Sequence, residues 1–485
     1  MSEKQQPAEE MTKINPELAR RILDELGQNV YLCYQCVKCT SGCPLGEYFD
    51  WQPNQVMRAL QLGQEDVALH SQTPWLCASC QTCTTRCPQG LDIAAIMDFL
   101  TREAVRRGLK PQVPEVDGFN KAFMREVRLW GRSFEAGLMA EIKLRNIRTH
   151  SLMEDMDLGA RIIGKNKMPF LPTWARPPKQ VKPIPVNANT VAYYPGCSLH
   201  STAVELNIST KAVCKALGLT LVEPKGWVCC GSSAAHRADP EAALRLPLEN
   251  LRIIEQSGFS EVMMPCAACF SRHKAAQHEI RHDEQHKAAV AQAMGYAYQD
   301  SVRVSSSTEA IFRRVGVQQI AAKVKHPLSG LRVVCYYGCL LTRPPQVTEA
   351  AHPENPTDMD NLMSALGAEV RDWSYKTCCC GATHSLTRPD IVLKLSSDLI
   401  AHARQSGADA IVVACPLCHT NLDARQFQMK LAEPMPVLYF TQLMALALGL
   451  PEKAAALDKN LVDPRPLLRS KGMLESQESV RKAAG

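Results

Sequence analysis

The sequence predicts an α/β chain, with a small α-helical domain ahead of a duplicated, cysteine-rich α/β domain. Three observations predict it. Most of the 21 cysteines fall into regularly spaced sets. Two stretches near the start share one spacing, Cys-x2-Cys-x2-Cys-x3-Cys-Pro. The later half carries another pattern twice: a lone cysteine, then Cys-Cys-Gly, then Cys-x2-Cys.

Composition narrows the class. The 485 residues suffice for two to four domains, and 46% hydrophobic with 21% charged residues is ordinary for a soluble globular protein. Aromatic content of 6% argues against stacking on single-stranded nucleic acid. The net charge of +6 is small and reads as solvated surface. No apolar run approaches the roughly 18–20 residues that span a bilayer; Val437 to Leu450 is too short and carries Gln442. The first ten residues lack the order of a secretion signal. The expectation is a cytoplasmic protein, without a transmembrane segment of its own, that meets a membrane only through a partner. In a reducing compartment so many cysteines point to metal or redox chemistry rather than disulfides.

Taken in order, residues 1–12 read as disordered. Asn15-Pro16 opens a helix as N-cap and first helical residue, Leu18, Ile22 and Leu26 mark its face, and Gly27 closes it. Cys33 to Cys43 forms one cysteine-rich loop and Cys77 to Cys87 a second, with a short helix over 54–62 between them. Asp92 caps a helix with Ile93, Ile96, Met97 and Leu100 on one face and Gly108 at its end. Residues 1–115 thus form the helical domain. Residues 116–188 are part helical, then extended: six prolines between Pro169 and Pro185 exclude helix and central strand. The first repeat covers 189–325 and the second 326–485. Each opens on an apolar run, Val191–Cys197 or Val333–Cys339. Each later has a helix ending in Gln-Ser-Gly, an apolar strand, and Cys-x2-Cys, with Gly258 and Gly407 both eight residues before it. Strand, helix and strand in alternation predict small parallel α/β units.

The N-terminal spacing is that of bacterial two-cluster ferredoxins, including the trailing Pro44 and Pro88. Three closely spaced thiolates wrap one cubane [4Fe–4S] cluster, and the fourth reaches the other. Cys33, Cys36, Cys39 and Cys87 therefore form one set, and Cys77, Cys80, Cys83 and Cys43 the other. Structural zinc takes four ligands, typically in two separated pairs, and fits this crowding poorly.

The later sets are Cys197, Cys229, Cys230, Cys266 and Cys269, and Cys339, Cys379, Cys380, Cys415 and Cys418. Five thiolates at one locus exceed what one tetrahedral zinc or one simple cubane needs. Gly231 and Gly381 allow a cluster to approach the backbone. Cys378 permits a shifted register, Cys378-Cys379; the following Gly381 favours Cys379-Cys380. Cys335 aligns with Tyr193 and Cys214 lies in a helical stretch, so neither is expected to be a ligand.

These residues resemble heterodisulfide reductase. "YYPGCSLHSTAVELNISTKAVCKALG", "CCGSSAAH" and "PCAACFSRHK" are similar to its B-type subunit, while "CYQCVKCTSGCP" and "WLCASCQTCTTRCP" resemble its C-type subunit. The resemblance implies a fusion of the C type, N-terminal, with the B type, C-terminal. It implies a noncubane [4Fe–4S] cluster in each five-cysteine set, a disulfide or thiol substrate between them, and two cubane [4Fe–4S] clusters relaying electrons. A flavin-containing, A-type subunit or another electron-donating subunit would be the partner. The family often has His after the first cysteine of the second set; here that residue is Leu340. His200, His236, His384 and His419 lie near motif cysteines as proton-donor candidates, each equally readable as a structural histidine. The alternative function is an electron-transfer iron–sulfur subunit of a glycolate, lactate or glycerol-3-phosphate oxidoreductase complex, whose layout is similar.

Overall fold

The computed structural model describes residues 14–145, 156–429, 431 and 433–475. The segment expected to be disordered, 1–12, lies outside them. The chain divides into two compact units, Met1–Asp117 and Gly118–Gly485.

The first unit is helical. Its opening helix spans Glu17–Leu26, with Asn15 Oδ1 accepting from the Glu17 amide at 3.1 Å and Gly27 in the left-handed conformation at its end. Leu18 and Ile22 are buried, as their spacing predicts. The helix Ile93–Arg106 starts where Asp92 accepts from the Ala95 amide at 2.9 Å, and Ile93, Ile96, Met97 and Leu100 are all buried. The helix Pro53–Gln61 completes the core. Each cysteine loop leads into a short helical turn, Lys38–Ser41 or Thr82–Arg86, and these turns pack together.

Among its described residues the second unit contains two four-stranded, wholly parallel sheets. The first comprises β1 (Thr190–Tyr193), β2 (Thr220–Val222), β3 (Glu261–Met264) and β4 (Arg303–Ser306), in the order β2-β1-β3-β4. The second comprises β5 (Arg332–Tyr336), β6 (Glu369–Val370), β7 (Ala410–Val413) and β8 (Val437–Tyr439), in the order β6-β5-β7-β8. Strands β1, β3 and β7 are buried along their length, as expected for sheets covered on both faces. Registers match as well: Tyr193 opposes Met263, three residues before Cys266, and Cys335 opposes Val412, three before Cys415. Cys335 therefore holds the place of Tyr193. The repeats pack through helices, the helix Val204–Ala216 of the first lying against Phe440–Ala447 of the second.

The segment after residue 118 is part of this unit. Phe123, Val127 and Ile142 pack on Val228, Cys229 and Ala234. The Cys229 amide donates to Gly131 O at 2.8 Å. Gly131 is required there, since a Cβ would fall 1.9 Å from Ala175 O. The proline-rich stretch is extended but tethered: Arg252 donates to Pro178 O at 2.9 Å and the Ile184 amide to Ser257 O at 3.0 Å.

Candidate functional site

In the first unit the two cysteine loops share one backbone course. Gln35 and Val37 have φ of 60° and 64°, and the matching Ser79 and Gln81 have 48° and 61°. Left-handed geometry at a β-branched valine is strained. Its recurrence at matched positions shows that the Cys-x2-Cys-x2-Cys spacing dictates a tight wrap. Cys43, Cys77, Cys80 and Cys83 line a single cavity walled by Leu45, Ile93 and Met97. Cys43 thus leaves its own loop and joins the other. Cys87 acts together with Cys36 on the Tyr34 hydroxyl, which brings it to the side of the first loop. Burial and the neighbouring thiols push Cys43 and Cys83 well up. Bare thiols there hold their protons, and a bound metal is what would draw them off.

In the second unit each set is assembled from three places: the loop after the first strand, the Cys-Cys-Gly loop, and the strand-to-helix turn carrying Cys-x2-Cys. In the first repeat Cys229 contacts Cys197 and Cys230, and Cys230 Sγ lies 3.5 Å from Cys269 Sγ. In the second, Cys380 Sγ lies 3.6 Å from Cys418 Sγ. Cys339 follows Gly338 and, like Cys379, acts on the Tyr336 hydroxyl. The two sets meet, because the thiols of Cys266 and Cys415 contact one another. One path of sulfurs therefore runs between the repeats. Shared hydrogen bonds pull Cys230 and Cys415 down while pushing Cys229 and Cys269 up. Donor chemistry fits a thiolate-held cluster, and so does the backbone. Gly196 and Gly338 are left-handed, and a Cβ at either would fall 2.8 Å from Cys269 Sγ or 2.9 Å from Cys418 Sγ.

The surroundings include residues that spacing did not flag. Tyr194 Oη donates to Val228 O at 2.7 Å, and Tyr336 Oη to Cys378 O at 2.6 Å. Both acceptors immediately precede a Cys-Cys-Gly, so Cys378 stands where the first repeat has Val228. The doubled tyrosines of "YYPGC" and "YYGC" were the visible signal. Asn250 holds Val228 from both sides, accepting from its amide at 2.8 Å and donating to its carbonyl at 3.0 Å. Asn421 donates to Cys380 O at 3.2 Å. Cys214 and Cys335 are fully buried, and burial pushes Cys214 up to about 12.

The histidine candidates separate. His200 is half-exposed, stacks on Trp227 and meets Glu223 Oε1 at 3.2 Å. His236 is half-buried. His384 is buried with Nδ1 3.4 Å from Thr387 Oγ1. His419, also buried, donates from Nε2 to Val437 O at 3.1 Å and stacks on Tyr439.

Residues 32–92 match the family model of a 4Fe-4S dicluster domain, and 191–272 and 333–423 each match that of the CCG cysteine-rich domain. These define an iron–sulfur protein of heterodisulfide reductase type. The chain belongs to the family of the B-type subunits of heterodisulfide reductase, with a C-type dicluster domain fused ahead. Among relatives, the 8-methylmenaquinol:fumarate reductase membrane anchor subunit of Wolinella succinogenes is 34% identical over 57% of this chain and 98% of that protein. The B-type subunit of the ferredoxin/F420H2-dependent CoB–CoM heterodisulfide reductase of Methanosarcina acetivorans is 26% identical over 56% and 93%. The D-type subunit of the dihydromethanophenazine:CoB–CoM heterodisulfide reductase of the same organism is 25% identical over 60% and 67%. No helix among the described residues is long and apolar enough to cross a membrane.

Proposed function

We propose that this chain is the disulfide-handling iron–sulfur subunit of a multi-subunit reductase, splitting or forming a disulfide where its two five-cysteine sets meet. The observation carrying the reading is the contact between Cys266 and Cys415, which joins the two five-thiol halves of one locus. When bound, [4Fe–4S] clusters, noncubane in the five-cysteine sets and cubane in the ferredoxin-type sets, supply electrons one at a time. Cys197, Cys229, Cys230, Cys266 and Cys269 would hold one, and Cys339, Cys379, Cys380, Cys415 and Cys418 the other. A disulfide needs two electrons and two protons to give two thiols, so two adjacent one-electron sites avoid releasing a thiyl radical. Gly196 and Gly338 leave room for this, while Tyr194 and Tyr336 fix the Cys-Cys-Gly loops. Cys33, Cys36, Cys39 and Cys87, with Cys43, Cys77, Cys80 and Cys83, would relay electrons from a flavin-containing or other donor subunit.

The test is electron paramagnetic resonance of oxidised, iron-loaded protein with and without thiols. A signal that responds to thiol supports the reading, and indifference to every thiol and disulfide defeats it. A second reading, an electron-transfer subunit of a quinol-linked reductase, is favoured by the 34% identity to the fumarate reductase subunit. Isolation of the native complex separates the two by whether the partner flavoprotein reduces a dicarboxylate.

A further inference from the structure

Behind the junction of the two sets lies a buried group of charges. Lys167, from the segment before the first repeat, donates Nζ to Glu205 Oε1 at 2.6 Å, with side chains 5% and 0% exposed. Burying such a pair is costly and is weak evidence for a stabilising role. Glu205 lies on the helix Val204–Ala216, which packs against the second repeat, and charged or titratable groups reach it from several segments. His419 Nδ1 is 3.7 Å from Glu205 Oε1, Lys459 acts on Glu205 from the C-terminal side, Glu205 in turn raises the buried Asp423 carboxyl, and Tyr439 lies beyond. Two polar atoms here have no hydrogen-bond partner among the described residues: Glu205 Oε2 and Tyr439 Oη. Buried polar atoms are almost always paired, and a carboxyl oxygen and a hydroxyl that are both unpaired and act on one another suit exchange of a proton through water. Tyr439 Oη feels the Glu205 charge most strongly, then those of Cys415, Asp423 and Cys266. The far side reaches solvent through Lys459, whose Nζ donates to Lys165 O at 2.9 Å and whose side chain is 23% exposed.

We propose that Glu205 is a proton-loading site, filled from the Lys459 side and discharged past Tyr439 toward the Cys266–Cys415 junction when that junction is reduced. This deepens the reading above and rests on it for the destination of the proton. In the balance RS–SR′ + 2e⁻ + 2H⁺ → RSH + R′SH, the electrons come from the donor subunit and Glu205 passes on protons from solvent. Burial favours the protonated form of Glu205, while Lys167 and then Lys459 oppose it. Lys167 is a positioning residue.

The experiment uses the full iron-loaded chain. Reduced-minus-oxidised infrared spectra of wild type should show a carboxylic acid band that shifts in protein labelled with ¹³C-glutamate. That band should vanish in E205Q. Redox titrations followed by paramagnetic resonance from pH 6 to 9 should give a potential that falls with pH by one proton per electron in wild type. The slope should flatten in E205Q and return in E205D. If E205Q does not fold, K167M/E205Q removes both charges together and should also give the flat slope. A wild type with no glutamate band, or a folded variant with full iron and an unchanged slope, overturns the proposal. A Glu205-dependent slope in a chain that acts on no disulfide defeats the disulfide reading instead and leaves the proton site standing.

Discussion

Gly196→Ala isolates the cradle of the first five-cysteine set. Gly196 has φ of 73°, and the new methyl would fall 2.8 Å from Cys269 Sγ. Left-handed backbone at an alanine costs roughly 1–2 kcal/mol, and overpacking about 1–3 kcal/mol. The sum is roughly 2–5 kcal/mol. At about 2 °C per kcal/mol for a large domain, the melting temperature falls by roughly 4–10 °C. The sulfur can escape only by moving, and it sits 3.5 Å from Cys230 Sγ, so relief disturbs two thiols of one set. Gly218→Ala is the control. Its φ is 88° with nothing within 4 Å of the added Cβ, so it incurs the backbone cost alone and should keep all its iron. The assays are iron and acid-labile sulfide per chain, and thermal melting. G196A with full iron that melts no lower than G218A would refute the reasoning.

Three further expectations follow from the same geometry. Cys378→Ala should leave iron and sulfide unchanged, whereas Cys380→Ala should lower both, because Cys378 stands where the first repeat has Val228. Equal losses would shift the register. Cys43→Ala should alter the paramagnetic signal of the cluster proposed for Cys77, Cys80 and Cys83 and spare that proposed for Cys33, Cys36 and Cys39, since Cys43 lines the cavity of the former; disturbance of the Cys33 loop alone would undo the proposed crossed assignment. Glu103 accepts from Arg106 at 2.6 Å and Arg107 at 2.5 Å and pairs with Arg21, which together hold its carboxyl down to about 2. A depressed carboxyl stabilises above its ordinary pKa, so this contribution is complete above about pH 4.5 and is lost as pH falls toward 2. After solvent screening it is about 1–3 kcal/mol. Acid titration of helicity should show E103Q less stable than wild type at pH 7 by that amount and equal to it near pH 2.

Much of this was legible because cysteine spacing is a geometric instruction. Cys-x2-Cys-x2-Cys forces the left-handed turns at Val37 and Gln81, and the duplicated order fixed the two parallel sheets in equivalent register. The place of Cys335 could be read from Tyr193 for the same reason. What stayed hidden depends on contacts between distant segments. Nothing near Lys167 or Glu205 announces a pair, since 38 residues separate them. Nor does the proline-rich composition of residues 169–185 reveal that Arg252 and Ser257 tether the stretch to the first repeat. The histidines were flagged by proximity in sequence, yet His200 and Trp227 form a half-exposed stack while His419 is sealed behind its own cysteine turn. The layout of cysteine sets also pointed toward hydroxy-acid oxidoreductases as the alternative, whereas the relatives include a fumarate reductase component.

The duplication has preserved one layer of each site and let the next diverge. The glycine under the sulfur and the tyrosine on the Cys-Cys-Gly loop occur in both repeats, at nearly equal distances. One layer out, the first repeat places His273 four residues after Cys269, its Nε2 3.2 Å from Asn250 Nδ2. The second repeat places His419 directly after Cys418, its Nε2 3.2 Å from Asn460 Nδ2. The inner layer fixes what can bind, and the outer layer tunes it. Two sites required to do identical work would gain nothing from unequal outer layers. On the proposed reading they act on the two ends of one disulfide, and one end stands nearer the buried Lys167–Glu205 pair. Transplanting the second arrangement onto the first, with the inner glycines and tyrosines untouched, should therefore move the two potentials together without changing iron content. Potentials that stay as far apart as before would place the asymmetry in the five-cysteine sets themselves.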